Sequence, residues 1–149
     1  MERTRGFEIV SAFEGKGIHL PERKTADSAG YDIESAVDAD IVPGKVAVIP
    51  TGLKAYMRKG EYLALHIRSS MAIKHGIILV NGTGIIDGDY YNNPDNEGHI
   101  MAACWNLTDV PFHIQKGDRI AQGIFCPYEV TDTDKASGLR KGGIGSTGV

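Results

Sequence analysis

The sequence predicts an all-β domain with one short helix, and three observations carry that reading. Short apolar stretches recur between Gly, Pro and Asp at intervals of roughly 8–12 residues, the rhythm of strands and turns in a sandwich, jelly roll or barrel. Several of these stretches alternate apolar and polar side chains with the period of two that a half-buried strand requires. Only one segment carries both a start and a stop signal for a helix. At 149 residues and 42% hydrophobic, the chain suits one domain that buries a real core without disulfide staples.

Along the chain, residues 41–49 are divided by the Pro43-Gly44 turn, and residues 46–50 form a short strand that stops at Thr51-Gly52. Residues 61–68 alternate, with Leu63, Leu65 and Ile67 on the core face and Tyr62, Ala64, His66 and Arg68 on the other. The helix is expected over residues 70–75, where Ser69 or Ser70 can cap the start and Gly76 can turn left-handed just past the end. Residues 77–80 are a buried run, residues 100–107 alternate again, and residues 119–125 follow the Lys116-Gly117-Asp118 turn. Residues 1–131 therefore read as a β domain. Residues 132–149 change character to Ser, Thr, Gly and charge, with Leu139, Ile144 and Val149 as the large apolar side chains, so a mobile glycine-rich arm is expected.

The net charge of -3 argues against a protein that holds long nucleic acid by counterion release. Cys104 and Cys126 form no CxxC pair and have no His at metal spacing, which points to two reduced, mostly buried thiols and a reducing compartment. Residues 1–10, with Glu2, Arg3, Arg5 and Glu8, are too polar for a signal-peptide core. No run approaches the roughly 18 apolar residues of a membrane span. A soluble, cytoplasmic protein with no membrane partner is expected.

Three segments could carry chemistry. Gly84-Ile85-Ile86-Asp87-Gly88-Asp89-Tyr90 places two acids with a single residue between them among glycines; read alone, Asp87-Gly88 also suits a hairpin turn. Arg68-Ser69-Ser70 offers a bidentate guanidinium, two hydroxyls and backbone N–H groups at a helix start, an anion site or simply a solvated cap. Residues 140–148 combine Arg140 and Lys141 with hydroxyls and a glycine-rich backbone, a phosphate cradle or a frayed end.

Taken together and in order, five segments resemble the motifs of the trimeric dUTP diphosphatases (dUTPases), with similarity to bacterial and bacteriophage members. They are Ala29-Gly30-Tyr31-Asp32-Ile33, Arg68-Ser69-Ser70 through Gly76, Asn81 and Gly84 through Tyr90, Gly117-Asp118-Arg119-Ile120-Ala121-Gln122, and Gly142-Gly143-Ile144-Gly145-Ser146-Thr147-Gly148. The resemblance implies a jelly-roll subunit, a homotrimer with active sites shared between subunits, and an arm that closes over a neighbour's site. It implies hydrolysis of dUTP to dUMP and pyrophosphate, and so nucleotide-pool sanitation and dUMP supply.

On that resemblance, Asp87 matches the general base that orients and deprotonates water for attack on the α-phosphorus. Arg68, Ser69, Ser70 and Gln122 match phosphate contacts. Asn81, Gly84 and the backbone around Ile85, Ile86 and Met101 match the uracil-binding hairpin, and Tyr90 the ring beneath deoxyribose. Ser146 and Thr147 belong to the substrate-binding arm, Arg140 is expected to clamp the γ-phosphate with Lys141 as the alternative, and Ile144 stands where the family usually stacks Phe on the base. Mg2+ is expected on the triphosphate and water, with no direct protein ligand and Asp32 as an outer-shell group.

Asp118 and Arg119 fit a structural turn and an interface ion pair, and His66, His75 and His99 receive no catalytic role. The insertion Asn92-Asn93-Pro94-Asp95-Asn96-Glu97 reads as a tolerated surface loop, or as one that rims the site or binds a protein regulator. A dCTP deaminase-like enzyme on a related fold is the alternative, but that family uses a glutamate to activate water where this chain has Ile86-Asp87.

Overall fold

The computed structural model describes residues 2–143. In chain order, these residues form eleven strands and one α-helix: β1 (Gly6–Ile9), β2 (Tyr31–Glu34), β3 (Ala39–Ile41), β4 (Val46–Pro50), β5 (Leu53–Tyr56), β6 (Glu61–Ile67), α1 (Ser69–His75), β7 (Ile77–Leu79), β8 (Gly84–Asp87), β9 (Met101–Asn106), β10 (Phe112–Ile114) and β11 (Arg119–Pro127). All paired strands are antiparallel, in the orders β2-β11-β6-β8, β4-β9-β7, β1-β5 and β3-β10. Ile33, Leu63 and Leu65 from the four-stranded sheet meet Ile49, Ile77 and Cys104 from the three-stranded sheet in one buried cluster. The fold is thus a jelly roll with its core between the two larger sheets.

The expected strand over residues 46–50 is β4, and the other expected strands appear with ends shifted by one or two residues. The helix differs in its start. It begins at Ser69, the capping position is Arg68, and no side chain caps it. The cause is the sheet: the Arg68 N–H is still bonded to the Ile120 carbonyl at 2.9 Å, so the chain leaves β6 one residue earlier than a serine cap would require. Gly76 does adopt φ 63°, and its N–H closes the helix on the Ala72 and Met71 carbonyls.

The Asp87-Gly88 pair is not a hairpin tip. Asp87 ends β8, opposite Tyr62 of β6, and Gly88–Tyr90 then form a 3-10 turn. Asp118 does shape a turn, its Oδ2 accepting the Gln115 N–H at 2.8 Å, but the acid beside Arg119 is Asp32, at 3.4 Å. Both cysteines are free, and burial pushes the Cys104 thiol up to about 11.

Two features of the topology bear on function. The last strand, β11, lies inside the four-stranded sheet, with Cys126 opposite Tyr62 and Tyr62 opposite Asp87, so the following segment starts two strands away from Asp87. The outer face of β4-β9-β7 is apolar and open: Val46 and Val48 are each 53% exposed and Trp105 39%, with Val46 and Ile78 both in register with Trp105. Among the described residues no helix is long and apolar enough to cross a membrane.

Candidate active site

β8 is an edge strand of its sheet, so one side of its backbone is not used in the ladder. It lines a cleft of about 580 Å³ together with Asn81, Tyr90, Met101 and Arg140. Val48, Leu65, Leu79 and Ala103 supply apolar wall, and Asp87 stands at the strand's end. Gly84 permits this approach: a Cβ there would lie 3.1 Å from the Leu65 Cβ. The cleft therefore combines a free main-chain edge, an aromatic ring, an apolar wall and a carboxylate, the makings of a site for a flat polar base joined to a reactive group.

Tyr90 is fixed at both ends of its polarity. Its hydroxyl donates to the His99 carbonyl at 2.5 Å and accepts from Asn96 Nδ2 at 2.9 Å, while burial pushes its phenol upward in pKa. His99 is itself buried, its Nε2 accepting the Gly52 N–H at 2.9 Å and its ring 5.2 Å from that of Phe13. That bond needs a neutral imidazole, and desolvation lowers the His99 pKa accordingly. His99 thus links Tyr90 to the Gly52 backbone.

The 92–97 loop is folded around Tyr90. Buried Asn93 donates to the Tyr90 carbonyl at 2.7 Å and to Asn96 Oδ1 at 2.8 Å. Lys54 Nζ grips the Asn92 and Glu97 side chains at 2.6 and 2.7 Å, and Glu97 also accepts the Ser11 N–H. The Lys54 bond holds the Glu97 carboxyl below its ordinary pKa. Asp95 and Asn96 line the cleft, so the insertion rims the site.

The segment after β11 returns to the same cleft. Arg140, with a side chain only 9% exposed, places Nη2 2.5 Å from Asp87 Oδ2 and Nε 2.6 Å from Asp89 Oδ1. Its Nη1 donates to the Gly142 carbonyl at 3.2 Å, and its Cζ sits 5.8 Å from the centre of the Tyr90 ring. Of the two cations considered for the clamp, Arg140 enters the cleft and Lys141 is exposed. Within one chain the arm thus meets its own Asp87, whereas the resemblance implied a neighbour's site. Ile144, Ser146 and Thr147 lie outside the described residues.

The expected phosphate contacts are elsewhere. Arg68 and Ser70 line a separate depression of about 350 Å³ with His75, Phe112 and Arg119. Ser69 opens α1 beside them. Gln122 sits on β11 between Asp32 and His66, filling the space beside Gly30, where a Cβ would meet its Oε1 at 2.0 Å. No three His, Cys, Asp or Glu side chains among the described residues cluster to hold a metal.

A family model described as dUTPase matches residues 16–148. The chain belongs to the dUTPase family. This dUTPase family member is 50% identical over 149 residues to the deoxyuridine 5'-triphosphate nucleotidohydrolase of Lactococcus lactis, covering 99% of each chain. It is 37% identical to that of Psychromonas ingrahamii, covering 95% of each. Among solved structures, the dUTPase of Streptococcus mutans superposes with a TM-score of 0.81 at 46% identity, over 85% of this chain and 98% of that one. The dUTPase from phage phi11 of S. aureus shares the fold at 22% identity and a TM-score of 0.73, over 92% of this chain and 98% of that one. One variant of that phage protein coordinates a structural Mg(II) ion.

One feature of the site was not read from the sequence, the pairing of Asp89 with Arg140, whereas the cleft-facing Asp95 and Asn96 belong to the loop for which a site-rimming place was one of the readings. The only sequence signal for that pairing is two acids separated by a single residue, which names no partner.

Proposed function

We propose that the protein hydrolyses dUTP to dUMP and pyrophosphate, with uracil on the edge of β8 and the reacting phosphate beside Asp87. The observation that carries this reading is the convergence of Asn81, the Gly84–Asp87 strand, Tyr90, Met101 and Arg140 on one cleft. The unpaired main-chain edge supplies donors and acceptors for a pyrimidine edge. A base with the wrong pattern leaves buried groups unpaired, which can be worth roughly 10⁴-fold in discrimination. Tyr90, pinned by His99 and Asn96, presents its ring to the sugar.

Asp87 orients water and accepts its proton as the water oxygen attacks the α-phosphorus; pyrophosphate departs and dUMP remains. Aspartate is a weak base, so positioning and partial desolvation carry much of its effect. Arg140 serves the γ-phosphate once it leaves Asp87, and Arg68, Ser69, Ser70 and Gln122 serve the remaining phosphate oxygens.

Those last four residues do not reach Asp87 within one chain, which supports a homotrimer whose subunits complete each other's sites. The open apolar face around Val46 and Trp105, next to the cleft wall at Val48, supports the same assembly, because a patch of that kind calls for a partner. Mg2+ enters on the triphosphate in this reading, with Asp32 in its outer shell. Bound there, Mg2+ neutralises charge on the phosphate oxygens.

The experiment is release of pyrophosphate from dUTP and Mg2+ by the purified protein, with ammonia release from dCTP as the opposing outcome. Dependence on Asp87 separates hydrolysis at this site from any other.

A further inference from the structure

Asp89 is 61% exposed, yet it bonds to a guanidinium that is almost buried. Arg140 uses three nitrogens on three partners: Nε on Asp89, Nη2 on Asp87 and Nη1 on the Gly142 carbonyl. The two carboxylates thus share one fork edge that usually serves a single acid. They stand two residues apart because Asp87 ends β8 and Gly88–Tyr90 immediately turn.

This arrangement poses a problem that Asp89 resolves. While Nη2 holds Asp87, the Oδ2 oxygen is engaged with a cation and is not free to orient water. With Asp87 as its one anionic partner, Arg140 would be left with only the Gly142 carbonyl and the Tyr90 ring once the base is released. Nε is the guanidinium nitrogen nearest the aliphatic stem, so a modest rotation about the Cδ–Nε bond swings the Nη atoms away and displaces Nε little. An acid on Nε keeps the cation in place through that exchange. Arriving phosphate then competes with Asp87 for the Nη nitrogens alone.

We propose that Asp89 is a positioning residue for the dUTPase reaction, holding Arg140 by Nε so that its Nη edge passes from Asp87 to the substrate's phosphate. The proposal rests on the function inferred above. Its cation is specific to this geometry, since Lys has no second nitrogen to hold.

A double-mutant cycle tests it on the full-length protein with dUTP and Mg2+. Asp89→Asn should raise KM roughly five- to tenfold with kcat changed less, and Asp89→Glu should recover most of the loss. In an Arg140→Ala background, Asp89→Asn should have no further effect. Multiplicative loss in the double variant, or an unchanged KM in Asp89→Asn, overturns the proposal.

A second readout needs no turnover and so fails separately from the proposed activity. In substrate-free protein, limited trypsin cleavage after Arg140, measured by mass relative to cleavage after exposed Lys135, should rise several-fold in Asp89→Asn and stay near wild type in Asp89→Glu. Unchanged cleavage in Asp89→Asn overturns the proposal even where no dUTP hydrolysis is detected.

Discussion

The Tyr90 hydroxyl donates to the His99 carbonyl at 2.5 Å, tying the ring of the cleft to the chain two positions before β9. His99 is held in turn by the Gly52 N–H, which leads into β5, so the ring is anchored to the core. Tyr90→Phe removes that bond and leaves the His99 carbonyl short of a donor. The expected loss is about 1 kcal/mol of stability, read from chemical denaturation, with a smaller effect on kcat. Unchanged stability would show that water replaces the hydroxyl without penalty.

The buried His99 sets a pH dependence. Its folded pKa lies below the ordinary histidine value because desolvation disfavours the charged form. The unfolded chain therefore binds a proton first as pH falls. The stability that neutral His99 contributes is full above about pH 6.5 and declines as pH drops from there toward the folded pKa. His113, raised by its bond to Asp40, shifts stability the other way, but it is exposed and solvent screens it. Denaturation at pH 7.5 and 5.5 should show wild type losing stability, and His99→Gln losing less over the same interval.

The loop that rims the cleft depends on a bond no sequence pattern announces. Lys54, largely buried on β5, holds Asn92 and Glu97, which are 38 and 43 positions away. Lys54→Met should lower Tm by about 2–4 °C, as expected for a loss near 1 kcal/mol in a chain of this size. It should also raise KM for dUTP, because Asp95 and Asn96 lose their support. An unaltered KM would make the loop a bystander to binding.

Legibility followed the range of the interactions. β4 was readable because Pro43-Gly44 and Thr51-Gly52 bracket an apolar run. β1, β2, β3, β5 and β10 were not, since three or four residues barely display a period. The start of α1 was misread because its register is set by the Ile120 carbonyl, 52 positions along the chain from Arg68, and local serines do not reveal that. In the site, Asn81, Asp87, Tyr90 and Met101 were named from motif resemblance and do converge. Arg68 and Gln122 were named with them yet lie apart within one chain.

With sites completed by neighbouring subunits, as proposed, assembly becomes a condition for catalysis. Trp105→Glu puts a charge at the middle of the open β4-β9-β7 face while the side chain remains outside the core. Light scattering should show a trimer for wild type and a monomer for the variant, with kcat/KM lowered at least roughly 100-fold because the phosphate contacts are then missing. A monomeric variant with full activity would refute shared sites.

The central claim is that Asp87 activates the water that cleaves dUTP. Pyrophosphate release should be measured with dUTP and Mg2+ for wild type and Asp87→Asn, alongside binding of a non-hydrolysable dUTP analogue. The account predicts brisk release by wild type, a kcat lowered by roughly 10²–10⁴-fold in the variant, and analogue affinity largely retained. Wild-type turnover matched by Asp87→Asn would contradict it.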